Sequence, residues 1–266
     1  MSALSSRGRR RGTKAAMLAL AATVTFTGCA SGPPPSPVTM LASVSPAATY
    51  PAPTGLGGTN WGSVKTSNKV VALTFDGGSG AEAVDGMLGT LNAQHVPATF
   101  FLTGNFATDF PVKARAIVAA GHRVGDHTVS HPHFVGDHLT DAQMRAQVNT
   151  ARQQIISASK ADPWPWFRFP YGDLNAHAIS VVNSAGFVPI GWTVDTLGWK
   201  GAKDTGITKT TIINRVLAGL KPGEIVLMHV GAAPDGTTLD AAALPSIISA
   251  LRARGYSFVT MDAMLG

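Results

Sequence analysis

The sequence predicts an α/β fold in which a mostly parallel sheet is covered by helices. From about Val64 onward, short apolar runs alternate with amphipathic helical patterns. The alternation gives about seven strands, one short of the eight in a standard closed barrel, so the sheet could be open or closed. Polar residues directly follow several of these strands, which is where functional side chains collect in both architectures.

The strands are predicted where apolar or β-branched residues run together for a few positions. The helices are predicted where apolar residues recur three or four apart, and Thr140 to Gln143 has the spacing of a capping box at a helix start. In order, the strands are expected at 69–75, 97–102, 122–125, 167–169, 187–194, 224–229 and 256–261, and the helices at 81–94, 112–120, 140–159, 176–185, 208–220 and 241–254.

The first 28 residues have the order of a signal peptide. A basic start ends at Lys14, and an apolar run from Ala15 to Phe26 follows, too short to span a bilayer comfortably. Phe26-Thr27-Gly28-Cys29 resembles the lipobox of bacterial lipoproteins, although Phe26 replaces the usual aliphatic residue. The resemblance implies that Cys29 carries the lipid anchor.

Residues 29–63 are predicted to be a tether rich in Pro, Ser and Gly. We therefore expect an exported protein, lipid-anchored on the outer face of the cell membrane or secreted, with its folded domain at 64–266. Cys29 is the only cysteine, which excludes an intrachain disulfide.

The net charge of +6 does not indicate a nucleic-acid partner, because the basic residues are unevenly distributed. Five of the 21 basic side chains precede residue 15, and the other 16 nearly balance the 15 acidic ones. A nucleic-acid-binding domain would carry its basic residues as a patch on the folded part. We expect no nucleic acid as partner.

The polar residues at the strand ends suggest a metal-assisted hydrolytic site. His127 and His131 are four residues apart, and in a helical turn this spacing would put both imidazoles on one face, ready to hold a divalent metal. By itself the pair is a weak signal, since a solvated pair is common. The other strand-end residues are Asp76, Arg168, Asp195 and His229.

Five segments in this order resemble the polysaccharide deacetylase family, the NodB-homology domain of carbohydrate esterases. They are Thr74-Phe75-Asp76-Gly77-Gly78, His127-Thr128-Val129-Ser130-His131, Arg168-Phe169-Pro170-Tyr171-Gly172, Trp192-Thr193-Val194-Asp195-Thr196-Leu197-Gly198-Trp199 and Leu227-Met228-His229. The resemblance covers about residues 66–262. It implies a distorted, incomplete (β/α)7 barrel, which agrees with the strand count.

The resemblance implies a role for each site residue. Asp76 would be the general base and His229 the general acid, while Arg168 would align Asp76. The backbone N–H of Tyr171 would stabilise the oxyanion. His127 and His131 would bind the metal, Zn²⁺ by preference, with Co²⁺ and Mn²⁺ as alternatives.

Each residue also has a simpler interpretation. Asp76 could cap a strand end, Arg168 could form a surface ion pair, and His229 could be a buried core histidine. Trp199 and Leu227 would line the pocket for the acetyl methyl group, or belong to the core. Pro170 would border the pocket, or simply form a turn with Gly172.

Two positions depart from the family pattern. The Asp that normally follows the base and binds the metal is replaced by Gly77, so water or Asp76, or else Asp126 or His133, would have to complete the metal shell. The Asp that normally orients the catalytic histidine is replaced by Gly198, and Asp195 could assume part of that role.

We expect a hydrolase that removes N-acetyl groups from a cell-envelope glycan, with peptidoglycan favoured by the expected export and anchor. The alternatives are a deacetylase of O-acetylated xylan or of chitin oligomers, and a catalytically impaired module that only binds glycans. Retention of the base, the acid, the arginine and both histidines favours an enzyme.

Overall fold

The computed structural model describes residues 51–266, and the expected signal peptide, Cys29 and most of the expected tether lie outside them. The strands are β1 Val70–Gly77, β2 Thr99–Leu102, β3 Arg123–Asp126, β4 Trp166–Phe167, β5 Val188–Pro189, β6 Val194–Asp195, β7 Glu224–His229 and β8 Ser257–Phe258. The helices are α1 Val84–Ala93, α2 Gly104–Asp109, α3 Pro111–Ala119, α4 Asp141–Ser159, α5 Ala176–Ser184, α6 Lys209–Ala218, α7 Leu239–Arg252 and α8 Met261–Leu265. In this part of the chain no helix has the length and apolar character to cross a membrane.

The strands form one parallel sheet in the order β5-β4-β3-β2-β1-β7-β6, with β8 paired to the start of β1. Sequential strands joined through helices lie side by side from β1 to β5, whereas β7 and β6 extend the sheet on the other side of β1. The curled sheet forms an incomplete barrel in which β1 is an inner strand and β5 and β6 are the outer ones. The predicted fold class is confirmed.

A short segment bridges the gap between the two outer strands, β5 and β6. The backbone N–H of Trp61 donates to Pro189 O at 2.9 Å, and that of Val64 donates to Gly223 O at 2.9 Å. Between them, Thr193 Oγ1 donates to Gly62 O at 2.7 Å. Residues 61–63, which the sequence assigned to the tether, thus pack on the domain, and Trp61 covers its interior cluster.

Alternation along the strands separates two apolar layers. In β1, Val71, Leu73 and Phe75 belong to the large cluster that packs the sheet against its helices, whereas Ala72 belongs to the cluster inside the barrel. A third cluster, around Phe167 and Phe169 among others, packs α4 and α5 against β4. Side chains two residues apart on a strand consequently share one layer.

The predicted elements are present, with differences at their ends. The expected strand 187–194 is two short strands, β5 and β6, separated by residues 190–193. Helices α2 and α8 were not predicted, because each has six residues or fewer and gives no periodic signal. The capping box is confirmed, since Thr140 Oγ1 accepts from Gln143 N–H and the Gln143 side chain accepts from Thr140 N–H.

Glu224 gives the fold a testable pH dependence. It begins β7, its side chain is fully buried, and burial raises its pKa to about 7 although the neighbouring Lys221 favours the charged form. Because the folded state holds this proton more tightly than the unfolded chain, stability decreases as pH rises from about 4.5 to 7. We expect Glu224→Gln to raise the free energy of unfolding at pH 8 by up to about 3 kcal/mol, and by little at pH 4, in urea denaturation.

The control is Glu82→Gln, at the chain's other glutamate, which is exposed and accepts a hydrogen bond from Ala232 N–H. Its pKa is lowered mainly by that hydrogen bond, so its loss should not stabilise the protein at pH 8. A Glu224→Gln variant that is less stable than the native chain at pH 8 would contradict the assignment.

Candidate active site

Because side chains alternate between the two faces of a strand, the predicted site residues point into the barrel. Asp76 has the parity of the interior residue Ala72 on β1, and His229 has the parity of Ile225 on β7. Arg168 likewise stands two residues after the interior Trp166. The curled sheet therefore brings these side chains, far apart in sequence, to the carboxyl ends of its strands.

Asp76 and Arg168 form a buried ion pair. Arg168 Nη1 donates to Asp76 Oδ1 at 2.7 Å, and the arginine is fully buried. Its other nitrogens donate to the carbonyl oxygens of Ile190 and Gly191, each at 3.1 Å, and its guanidinium lies 4.1 Å from the ring centre of Phe101. These contacts fix the guanidinium, so the carboxylate of Asp76 is held in one orientation.

The ion pair decides the charge state of Asp76. Burial alone would raise the pKa of this carboxyl, but the charge of Arg168 and its hydrogen bond outweigh burial and lower the pKa below its usual value. Asp76 is therefore ionised at neutral pH, as a general base requires.

His127 and His131 lie in a loop and not in a helix. His127 directly follows β3 and continues its pairing, donating its N–H to Leu102 O at 3.0 Å. Thr128 and His131 both have positive φ, 68° and 62°, which turns the chain back. The two rings meet edge to face with centres 4.7 Å apart. The four-residue spacing thus brings the rings together, but through a turn.

Both histidines are neutral and one has a fixed tautomer. His127 Nδ1 lies 2.8 Å from Arg168 O, and a carbonyl can only accept, so Nδ1 carries the proton and Nε2 is free. Nε2 faces Asp76 Oδ2 at 3.4 Å. Burial lowers the pKa of His127, and burial together with the neighbouring His127 lowers that of His131 to about 3.

Two neutral imidazoles, one of them held by a carbonyl, have the chemistry of metal ligands. The residues present fit two ligands of a metal site and no more, since residues 51–266 contain no group of three His, Cys, Asp or Glu placed to hold an ion. Gly77 shares the parity of the outer layer, and a Cβ there would meet Leu102 Cδ2 at 2.9 Å and the Phe106 ring at 3.3 Å. Apolar side chains fill the space beside Gly77.

Asp126 and His133, two of the residues considered as replacement metal ligands, make contacts elsewhere. Asp126 is fully buried, its Oδ1 accepts from Thr128 N–H at 2.8 Å, and burial raises its pKa well above the usual value. The His133 ring stacks on Tyr171, with centres 3.9 Å apart, and its Nδ1 lies 3.6 Å from Asp173 Oδ2. Asp76 is the carboxylate that faces His127.

Asp240, which sequence reasoning did not identify, contacts His229. It lies in the first turn of α7, accepts from the His229 backbone N–H at 2.9 Å, and places Oδ2 3.4 Å from His229 Nδ1. Burial lowers the pKa of His229, but Asp240, together with Asp76 and Asp195, outweighs burial and raises it. An Asp eleven residues after a histidine, beyond a loop, gives no motif from which this contact could be found.

Asp195 lies at the end of β6 without a hydrogen bond to His229 among the contacts of residues 51–266. Its Oδ1 accepts from Leu197 N–H at 2.8 Å, and its Oδ2 faces Trp199 Nε1 at 3.4 Å. Asp195 therefore supports the loop that carries Trp199.

Pro170 is buried, and Tyr171 follows it with φ 58° and an exposed side chain.

The site opens into a cavity of about 970 Å³. Trp199 and Tyr171 are large exposed aromatic residues on its wall, and Leu227 lines it from β7. Besides the predicted residues, the wall contains Gly78, Ser79, Thr103, Asn105, Asp109, Ser130, Trp192, Gly231, Ala232 and Pro234. Asp76, His229 and the imidazoles of His127 and His131 all line this one accessible space, an arrangement typical of a hydrolytic site.

Comparison with known proteins agrees with this class of site. The sequence model named "Polysaccharide deacetylase" matches residues 63–190. A peptidoglycan-N-acetylglucosamine deacetylase of Bacillus cereus is 33% identical over 195 residues, which are 73% of this chain and 67% of the relative. A chitooligosaccharide deacetylase of Bradyrhizobium is 34% identical over 206 residues, 74% of this chain and 90% of the relative.

Among solved structures, a CE4 family pseudoenzyme from Bacillus anthracis has a TM-score of 0.71 at 28% identity, with 79% of this chain and 70% of that chain covered. A mutant of the same pseudoenzyme, described as having restored enzymatic activity, also gives a TM-score of 0.71. The chain belongs to the polysaccharide deacetylase family. The predicted family and enzyme class are confirmed.

The buried ion pair predicts an asymmetric response to mutation. Arg168→Gln would leave the Asp76 carboxylate buried without its counter-charge, and we expect the free energy of unfolding to fall by about 3–5 kcal/mol. Chemical denaturation followed by circular dichroism measures the loss.

The matched control is Arg145→Gln, because Arg145 is partly exposed and lies 3.7 Å from Asp141 one helical turn away. Its removal should change stability by less than about 0.5 kcal/mol. Equal effects of the two substitutions would show that the Asp76–Arg168 pair is not the buried interaction described.

Proposed function

We propose that the protein is a metal-dependent hydrolase that removes N-acetyl groups from a cell-envelope glycan, with peptidoglycan as the favoured substrate. The observation that carries the proposal is the convergence of Asp76, oriented by Arg168, with His229 across one cavity. Amide hydrolysis needs a base for the attacking water and an acid for the leaving amine, and the two groups lie on the paired strands β1 and β7.

In this reaction Asp76 takes a proton from water as the water oxygen attacks the acetyl carbonyl carbon. His229, whose pKa is raised, then donates a proton to the departing nitrogen. The C–N bond breaks, and acetate and the free amine leave. The backbone N–H of Tyr171, on the cavity wall, serves as donor to the oxyanion.

His127 and His131 would hold the divalent metal, with Zn²⁺ favoured and Co²⁺ or Mn²⁺ as alternatives. When bound, such an ion polarises the acetyl carbonyl. His127 Nε2 is the nitrogen available to it, because Nδ1 donates to Arg168 O. With Gly77 in place of a carboxylate, the remaining positions fall to water, substrate or Asp76.

A glycan substrate is supported by the exposed aromatic residues of the cavity. Tyr171 is 60% and Trp199 47% exposed, and aromatic faces suit sugar rings. Leu227 and Trp199 would receive the acetyl methyl group. The Bacillus cereus relative favours peptidoglycan, whereas the Bradyrhizobium relative favours chitin oligomers as the second candidate substrate.

The proposed location is the outer face of the cell membrane, reached by export through residues 1–28 and held by a lipid on Cys29. The support is the order of basic, apolar and small residues before Cys29. Such an anchor would place the domain beside the cell wall.

Acetate release tests the proposal. The full-length protein should release acetate from N-acetylated peptidoglycan fragments, and chelation should abolish release until Zn²⁺, Co²⁺ or Mn²⁺ is restored. We expect Asp76→Asn to lower kcat by at least about 100-fold, since the general base is lost. Parallel assays on chitin oligomers and acetylated xylan rank the substrates by kcat/KM.

Asp85→Asn is the matched control, because Asp85 is an exposed carboxylate that pairs with Lys113 on the surface; it should leave kcat unchanged. Acetate release that stays at background with all three metals and all three substrates would overturn the proposal that the protein is a hydrolase. Glycan binding retained under those conditions would identify the binding module instead.

A further inference from the structure

The carboxylate of Asp240 is buried, which is energetically unfavourable unless its contacts compensate for the lost hydration. It is 2% exposed, and its Oδ1 has no hydrogen-bond partner in residues 51–266. Burying a charge that is not fully hydrogen-bonded is unfavourable. Its location in the first turn of α7 stabilises a negative charge only modestly. The contacts with His229 are the ones that can explain why a carboxylate is buried at this position.

The Asp240 carboxylate occupies the space that a side chain at Gly198 would need. A Cβ on Gly198 would lie 2.3 Å from Asp240 Oδ1, 2.5 Å from Cγ and 2.7 Å from Oδ2. Gly198 is buried, and it is not among the residues with positive φ. Glycine is therefore required at 198 by the neighbouring carboxylate and not by the backbone conformation.

Together these two observations show that the space beside Gly198 is occupied by a side chain of helix α7 and not by one of the loop itself. The segment at Gly198 and the N-terminus of α7 meet behind His229, and only one of them can supply a side chain to that space. In this chain α7 supplies it, as a carboxylate. Its Oδ2 binds the backbone N–H of His229 and faces the ring Nδ1.

We propose that Asp240 is the positioning residue for His229, delivering from α7 the carboxylate that the loop lacks at Gly198. The inference rests on the proposed deacetylation, in which His229 is the acid. By accepting a hydrogen bond from Nδ1–H, Asp240 fixes the ring so that Nε2 presents its proton to the leaving nitrogen. Asp240 itself does not touch the substrate.

Other charged groups also face His229. Asp76 approaches it from β1 and Asp195 from β6, and both favour the protonated ring. The loop after β3 brings His127 and His131, whose positive charge would disfavour it, but both are neutral. Removing the charge of Asp240 therefore weakens and does not abolish protonation of His229.

The test exchanges the two positions in the full-length protein. Asp240→Asn and Asp240→Ala should lower kcat by about 10- to 100-fold with KM little changed, and should move the upper limb of the kcat–pH profile to lower pH. Gly198→Asp alone should also lose activity, because two carboxylates then compete for one space. Gly198→Asp combined with Asp240→Ala should recover at least about tenfold over Asp240→Ala, since the carboxylate returns.

A second measurement requires no turnover. The ¹⁵N NMR shifts of the His229 ring report which nitrogen carries the proton, and Asp240→Asn should change them and lower the ring's pKa. Asp141→Asn is the matched control, because Asp141 also lies in the first turn of a helix but is on the surface. It should change neither the ring shifts nor kcat.

Unchanged ring shifts and an unchanged pH profile in Asp240→Asn would overturn the proposal. So would a loss of activity that follows thermal instability alone and is not recovered by the exchange. If the native protein released no acetate, the deacetylase proposal would fail, whereas the NMR arm would still decide whether Asp240 fixes His229.

Discussion

The buried ion pair between Asp76 and Arg168 is the interaction on which the site depends. It joins β1 to the chain after β4, and the arginine is fixed in turn by carbonyl oxygens that follow β5. A buried pair of this kind adds little net stability, because desolvation offsets the attraction. Its effect is specific: it keeps one carboxylate ionised and oriented, with Oδ2 towards His127. The orientation of the Asp76 carboxylate therefore depends on several strands of the sheet.

Two glycines, Gly77 and Gly198, stand where the resemblance to the family implies aspartates, and their surroundings in the structure differ. Beside Gly198 the space contains the carboxylate of Asp240, which contacts His229. Beside Gly77 the space is filled by Leu102 and Phe106, so no side chain supplies a carboxylate there. The carboxylate expected at Gly198 thus has a counterpart in Asp240, whereas the one expected at Gly77 has no counterpart in the same space.

The parallel α/β architecture and the convergence of strand-end residues could be predicted from the sequence, because apolar periodicity fixes the elements and parallel strands align their carboxyl ends. Short elements escaped prediction, since α2 and the split between β5 and β6 involve too few residues to give a period. The packing of Trp61 across the barrel gap was hidden in a Pro- and Gly-rich stretch. Asp240 could not be found, because its contact with His229 depends on where α7 begins in space.

Arg168 holds the carboxylate of Asp76 in its ionised form, the form that a general base requires. The direct measurement is the carboxyl ¹³C resonance of Asp76 in the full-length protein, assigned by its loss in Asp76→Asn and followed across about pH 5 to 8. We expect the shift of an ionised carboxylate throughout, with no titration in this range. A resonance that titrates near neutral pH, or that has the shift of a protonated acid at pH 7, would contradict it.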